Sequence, residues 1–159
     1  MWIAYEALHG GNGHEAGLAL LARLYQQRTG QNLPAIARTQ RGKPYFVDSP
    51  LHFSISHTKK HVFCALSETP IGIDAEEVDR LVNPKLATKI LSPGELRQYE
   101  DALDKNKALL TFWVLKEAAA KLSGEGLQGF PNHTDFHLDD PRVTQLDGCL
   151  LAVMTEEKE

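Results

Sequence analysis

Two short stretches carry the residues best suited to chemistry. Gly72–Ile73–Asp74–Ala75–Glu76 alternates as a strand does, so Asp74 and Glu76 share a face with Gly72 while Ile71, Ile73 and Ala75 take the other. Trp113–Val114–Leu115–Lys116–Glu117–Ala118–Ala119–Ala120–Lys121 has helical composition, and Trp113, Glu117 and Lys121 fall at i, i+4 and i+8 on one side. Asp and Glu are poor strand formers, and like charges on one face repel unless something positive lies between them. Magnesium suits such a pair, because it takes oxygen ligands and keeps waters that a phosphate can replace. Glu117 and Lys121 border the apolar stripe of their helix, where a charge is costly to bury without a partner. A shared cation for Glu117 and a phosphate for Lys121 would meet that need. The set is therefore a candidate site of phosphoryl transfer.

Each signal taken singly has a plainer account. Asp74 and Glu76 could line a solvent-facing strand edge, and Glu117 and Lys121 could form an i, i+4 ion pair worth about 0.2–0.5 kcal/mol. Trp113 reads as core packing. Ser56–His57–Thr58 places three donors able to bind a phosphate anion at the end of a strand, although a lone histidine is commonly a surface or core residue. Gly42–Lys43–Pro44 alone is a turn bearing a charge.

These residues need elements to hold them. The pattern predicts a strand over residues 2–8, a flexible Gly10–Gly11–Asn12–Gly13, and a helix from Glu15 to Arg28 with Leu18, Leu21, Leu24 and Tyr25 inward and Gly30 past its end. Ile36–Thr39 and Tyr45–Val47 read as strands flanking Arg41–Gly42–Lys43–Pro44. Leu51–Ser56, Val62–Ser67 and Ile71–Glu76, joined by short turns, predict an antiparallel meander. Asn83–Pro84 then opens a helix to about Leu91, and Ser92–Pro93–Gly94–Glu95 carries the capping-box pattern. A long helix follows from about Asn106, with Leu109, Leu110, Trp113, Val114, Ala118 and Leu122 apolar and Gly124 ending it. Short strands are expected around Phe136–Leu138 and Cys149–Thr155, and fraying at Glu156–Glu159. The expected class is α+β.

A chain of 159 residues makes one domain or two small lobes sharing a core. With 42% hydrophobic and 24% charged residues, intrinsic disorder is excluded. A net charge of −4, without a basic run interleaved with aromatics, argues against nucleic acid as a partner. The start Met1–Trp2–Ile3–Ala4–Tyr5–Glu6 lacks the basic and long apolar parts of a signal peptide. No segment approaches the roughly 18 apolar residues of a membrane span. Cys64 and Cys149 sit in apolar strand-like runs, which fits a reducing compartment better than a disulfide. No histidine has zinc-ligand spacing with a cysteine or another histidine. The expected setting is cytoplasmic, with no membrane partner.

In order along the chain, Gly42–Lys43–Pro44, Phe53–Ser54–Ile55–Ser56–His57, Gly72–Ile73–Asp74–Ala75–Glu76, Ser92–Pro93–Gly94–Glu95, Trp113 to Lys121 and Gly124–Glu125–Gly126–Leu127 resemble the 4′-phosphopantetheinyl transferases. The likeness is to the larger, surfactin-synthetase-activating type. In the small trimeric synthases the aspartate motif lies near the N-terminus, whereas 71 residues precede Gly72 here. The resemblance implies a pseudo-dimer of two similar α+β lobes, about 1–68 and 69–155, with the site between them. Such a duplicated fold needs no trimer, so a monomer is expected.

The resemblance also implies the reaction. A serine hydroxyl of an acyl or peptidyl carrier protein attacks the β-phosphorus of coenzyme A, phosphopantetheine is transferred, and 3′,5′-ADP leaves, in the service of fatty-acid biosynthesis or secondary metabolism. By that likeness Asp74, Glu76 and Glu117 hold Mg²⁺. Glu117 is the base for the carrier serine, directly or through a metal-bound water, and Lys121 contacts the transferred phosphate. Ser56 and His57 bind the coenzyme phosphates, with Gly42, Lys43 and Pro44 against the nucleotide end. Glu95 matches an acidic family position, which its capping role explains equally well.

The chain departs from this type in a short N-terminal lobe and an abbreviated C-terminal region. No Lys or Arg precedes Arg23, so the usual basic cluster before the first helix is absent and the coenzyme 3′-phosphate is expected to bind weakly or differently. Two other functions compete: a non-catalytic relative that binds coenzyme A or a carrier protein, and a Mg²⁺-dependent phosphate hydrolase. Lys85, Lys89, Arg80 and Arg97, on and near the expected Asn83–Leu91 helix, could receive an acidic carrier helix or form a solvated mixed-charge surface.

Overall fold

The computed structural model describes residues 1–126 and 135–156. Strand β1 (Trp2–Ala7) leads into helix α1 (Gly13–Thr29), which Asn12 caps by accepting from the His14 and Glu15 amides and which Gly30 closes at φ 73°. Strands β2 (Ile36–Arg38) and β3 (Pro44–Phe46) form a hairpin. Then come β4 (His52–His57), β5 (His61–Ser67) and β6 (Ile71–Glu77). Helices α2 (Leu86–Ile90), α3 (Pro93–Asp101) and α4 (Lys105–Ser123) follow, and β7 (Val143–Leu146) and β8 (Cys149–Thr155) end the described chain. The class is α+β with antiparallel sheets, as the patterning predicts.

The meander is not what forms. β4 pairs with β5, but β6 pairs with β8 in a separate sheet. The strand orders are β1-β5-β4 and β6-β8-β7. β5 is thus a central strand, and the edge that β6 would have used is filled by β1 from the start of the chain. In both sheets the first strand and the next-to-last lie at the edges, the last lies between them, and a long helix packs on the sheet: α1 on the first, α4 on the second.

The sheets meet where β4 runs beside β6 without a backbone ladder. Ser54 and Ser56 supply the missing bonds, their Oγ atoms accepting from the Ile73 and Ala75 amides at 3.0 Å each. These hydroxyls satisfy donors that burial would otherwise penalise. Ile71, Ile73 and Ala75 pack with Phe63, Ala65, Cys149 and Leu151 in an apolar layer between the sheets. Cys64 and Cys149 are both buried free thiols.

Two further expectations are corrected. No strand forms at Phe136–Leu138: the Phe136 amide donates to Glu95 Oε2 and the Leu138 amide to Gln98 Oε1, so α3 side chains take the bonds a strand partner would have made. The pairing strand is Val143–Leu146 instead. The helix expected from Asn83 begins at Leu86, because Asn83 Oδ1 closes a local turn on the Lys85 amide. Leu127 and residues 157–159 lie outside the described residues.

The other face of β6 meets α4. Gly72 sits so close to this helix that a Cβ would strike the Ala118 carbonyl and the Leu122 amide, both rigid backbone. Gly72→Ala is therefore expected to cost about 1–3 kcal/mol and to lower the thermal midpoint by about 5 °C. A midpoint equal to wild type in a thermal melt would refute the close-approach argument. α3 fixes α4 from its other side. Ser92 and Glu95 form the capping box, and Glu95 Oε1 lies 2.6 Å from Lys116 Nζ, an ion pair with both partners buried.

Candidate active site

β6 and α4 bring Asp74, Glu117 and Lys121 into one place. Lys121 Nζ donates to the Ile55 carbonyl at 3.0 Å and lies 3.3 Å from Asp74 Oδ1. Asp74 is 8% exposed. Its Oδ1 also accepts from Ser56 Oγ at 3.4 Å. Its Oδ2 is buried and has no hydrogen-bond partner among the described residues.

Burial pushes the Asp74 carboxyl up to about 7; Lys121 pulls it down, and Glu117 and Glu76 push it further up. Burial likewise raises Glu117, opposed by Lys121 and reinforced by Glu76. Three carboxylates thus share one electrostatic neighbourhood with a single ammonium among them. Glu76 stands at its margin, bonded to Arg80 four residues on in the turn that follows β6. An all-oxygen donor set with an orphaned buried oxygen fits a hard divalent cation.

The linkage has a definite sign. Asp74 keeps its proton in the folded state between its ordinary value of 3.8 and about 7, where the unfolded chain has released it. Its contribution is full at low pH and is lost as pH rises through about 7, of order 2–4 kcal/mol. The thermal-midpoint advantage of Asp74→Asn over wild type, in chelating buffer, is therefore expected to widen from pH 5 to about pH 8. A pH-independent difference would contradict this.

Asp74, Glu117 and Lys121 line a cavity of about 560 Å³, within the range of ligand sites. Gly42, Lys43, Pro44, Ser56 and His57 all stand in its wall; Glu76 does not. Gly42 holds φ 96° in the β2–β3 hairpin, which suits glycine. Lys43 turns its Nζ onto the Leu122 carbonyl at 2.6 Å, tying the hairpin to the end of α4, and burial lowers its pKa. Ser56 Oγ is engaged between the Ala75 amide and Asp74. The His57 ring lies over Gly13 at the start of α1, in space a Cβ would fill.

Sequence reasoning missed Arg38, Arg41, His14 and Leu18, which also line the cavity. The basic residues of the cavity wall follow α1 in the chain. Arg38, Arg41 and Lys43 crowd one hairpin, with the Arg38 guanidinium on the Gly42 carbonyl at 2.8 Å. Three cations bracketing one tight turn was the available signal. Glu95 lies in the capping box and the Lys116 ion pair, away from the cavity lining.

Residues 70–152 match the model of the 4′-phosphopantetheinyl transferase superfamily. The chain is 33% identical over 92 residues to the 4′-phosphopantetheinyl transferase gsp of Aneurinibacillus migulanus, covering 57% of this chain and 38% of that protein. It is 38% identical over 92 residues to Sfp of Bacillus subtilis (54% and 39%). It is 34% identical over 110 residues to psf-1 of Bacillus pumilus (65% and 46%). The chain thus spans less than half the length of the curated relatives it matches.

Proposed function

The chain belongs to the 4′-phosphopantetheinyl transferase superfamily, and from that premise we propose that it moves the 4′-phosphopantetheine group of coenzyme A onto a serine of an acyl or peptidyl carrier protein. The observation that supports this most is the buried Asp74–Glu117–Lys121 group, with Asp74 Oδ2 unsatisfied, at a cavity walled by a basic hairpin.

Asp74 and Glu117, with Glu76 once released from Arg80, would hold Mg²⁺, which would offset charge on the pyrophosphate. Glu117, kept basic by burial, takes the proton of the carrier serine hydroxyl. The serine oxygen bonds to the β-phosphorus, the bond from that phosphorus to the bridging oxygen breaks, and 3′,5′-ADP leaves. Lys121 supplies positive charge where negative charge develops on the oxygens of the transferred phosphoryl group. His57 faces the coenzyme phosphates, and Ser56 in the same wall reaches them once its hydroxyl leaves Asp74. Arg38 and Arg41 add charge beside Gly42, Lys43 and Pro44 at the nucleotide end. The two halves, about 1–68 and 69–155, form a pseudo-dimer on this reading, supported by their shared strand order and helix placement. The protein acts as a cytoplasmic monomer.

Intact-mass measurement of apo acyl and peptidyl carriers, incubated with the protein and coenzyme A, tests this. One added phosphopantetheine group, dependent on Mg²⁺ and abolished by chelator, is the expected result. No added mass on any carrier, with coenzyme A still bound by calorimetry, would leave a binding protein. Free phosphopantetheine released without a carrier would mean hydrolysis.

A further inference from the structure

A second cluster of metal-binding side chains lies at one end of the apolar layer between the sheets. Glu77 follows Ile73 and Ala75 on that face of β6, opposite to the face that carries Asp74. Cys149, the first residue of β8, is its direct cross-strand partner. His61, the first residue of β5, falls in register with Phe63 and Ala65 and so points into the same layer. Two consecutive strands and a third far along the chain thus deliver one nitrogen, one oxygen and one sulfur to a single point.

The separations are those of a coordination shell about to close. Glu77 Oε1 lies 3.0 Å from His61 Nδ1, and Cys149 Sγ lies 3.3 Å from the same nitrogen. All three ligand atoms fall within 4.8 Å of one another. Zinc bonds of about 2.0–2.3 Å in tetrahedral geometry imply ligand-to-ligand edges of roughly 3.3–3.6 Å. For the two edges that meet at His61 Nδ1, an outward shift of a few tenths of an ångström therefore suffices. Thr58 Oγ1, 2.5 Å from Glu77 Oε1, stands where a fourth oxygen or its hydrogen-bonded support is needed. The His61 and Glu77 side chains are 15% and 12% exposed, leaving a route inward, while Cys149 is fully buried.

We propose that His61, Glu77 and Cys149 form a binding site for a borderline-soft divalent cation of the zinc type, distinct from the carboxylates around Asp74. The mixed nitrogen, oxygen and sulfur donors favour such an ion over magnesium, which takes oxygen alone. Binding displaces the thiol proton to solvent and puts the metal on His61 Nδ1, with the ring proton on Nε2. The cluster is not a nucleophilic dyad. Glu77 and Cys149 meet the same ring nitrogen, so Glu77 does not orient the ring from the side away from the sulfur, and the sulfur is buried. The ion instead clamps the first sheet to the second, where β5, β6 and β8 come together.

Cobalt titration of the metal-free full chain tests this. The expected result is a thiolate-to-cobalt charge-transfer band saturating at one ion per chain, with tetrahedral visible bands, bleached by zinc and unaffected by excess magnesium. Cys149→Ser should abolish the band, while Cys64→Ser and Asp74→Asn should keep it. His61→Gln and Glu77→Gln should each weaken cobalt binding at least about 10-fold, since outer-shell partners alone can be worth that much. Absence of a charge-transfer band in the wild-type protein, or a band that survives Cys149→Ser, would overturn the assignment. If Cys149→Ser fails to fold, unchanged cobalt affinity in the His61 and Glu77 variants would overturn it equally.

Discussion

Glu117→Gln is expected to lower carrier modification by about 10²–10⁴-fold, the range for removing a positioned proton acceptor, with the fold and coenzyme A binding retained. The amide has the same shape, so the packing of α4 against β6 is untouched. What disappears is a negative charge and a base. Burial raises the Glu117 carboxyl above the ordinary range, so it is a stronger proton acceptor at neutral pH than an exposed glutamate. Lys121 opposes that rise without abolishing it.

Rate measurements across a Mg²⁺ titration separate two ways of losing activity. Activity restored by excess Mg²⁺ would place the defect in holding the ion. Activity that stays low at saturating Mg²⁺ would place it in proton transfer. A Glu117→Gln protein modifying carriers at the wild-type rate would remove Glu117 from the mechanism altogether.

Glu95→Ala carries the largest expected cost in stability, about 3–5 kcal/mol, although Glu95 lies away from the cavity. Its carboxylate accepts from the Ser92 and Phe136 amides, at 2.9 and 3.0 Å, and offsets the Lys116 ammonium. Glu95 is 0% and Lys116 3% exposed. Truncation removes the carboxylate that compensates a buried positive charge and strands two buried amides. The double variant Glu95→Gln/Lys116→Met should recover most of the loss. Gln keeps an acceptor for the cap, and Met replaces the cation with an apolar chain of similar length. Denaturant unfolding extrapolated to water reads both. A cost below about 1 kcal/mol for Glu95→Ala would show that the pair does not stabilise the fold.

Much of the local architecture was legible in the residues. The capping box at Ser92–Glu95, the stop at Gly124 and the opposed faces of β6 follow from rules linking residues at most a few positions apart. The i, i+4, i+8 spacing put Glu117 and Lys121 on one side of α4, and the two-residue period put Asp74 opposite the apolar face. These periodicities belong to the backbone itself and survive any packing that keeps the element intact.

Of the strand partners only the β4–β5 hairpin was legible, because pairing beyond a short turn is a competition among segments wherever they lie in the chain. Val62–Ser67 and Ile71–Glu76 look like neighbours in a meander, yet β1 occupies the open edge of β5 and β8 claims β6. That choice leaves Ser54 and Ser56 to join the sheets, and it leaves Arg38 and Arg41 in the cavity wall. It also gathers His61, Glu77 and Cys149, whose separation along the chain hid them from any test of ligand spacing. Sequence alone determined which face of each element each reactive side chain occupies, since that depends only on backbone repeat. Which faces meet was decided by the tertiary structure, because burying apolar area and satisfying buried amides are properties of the whole set of contacts.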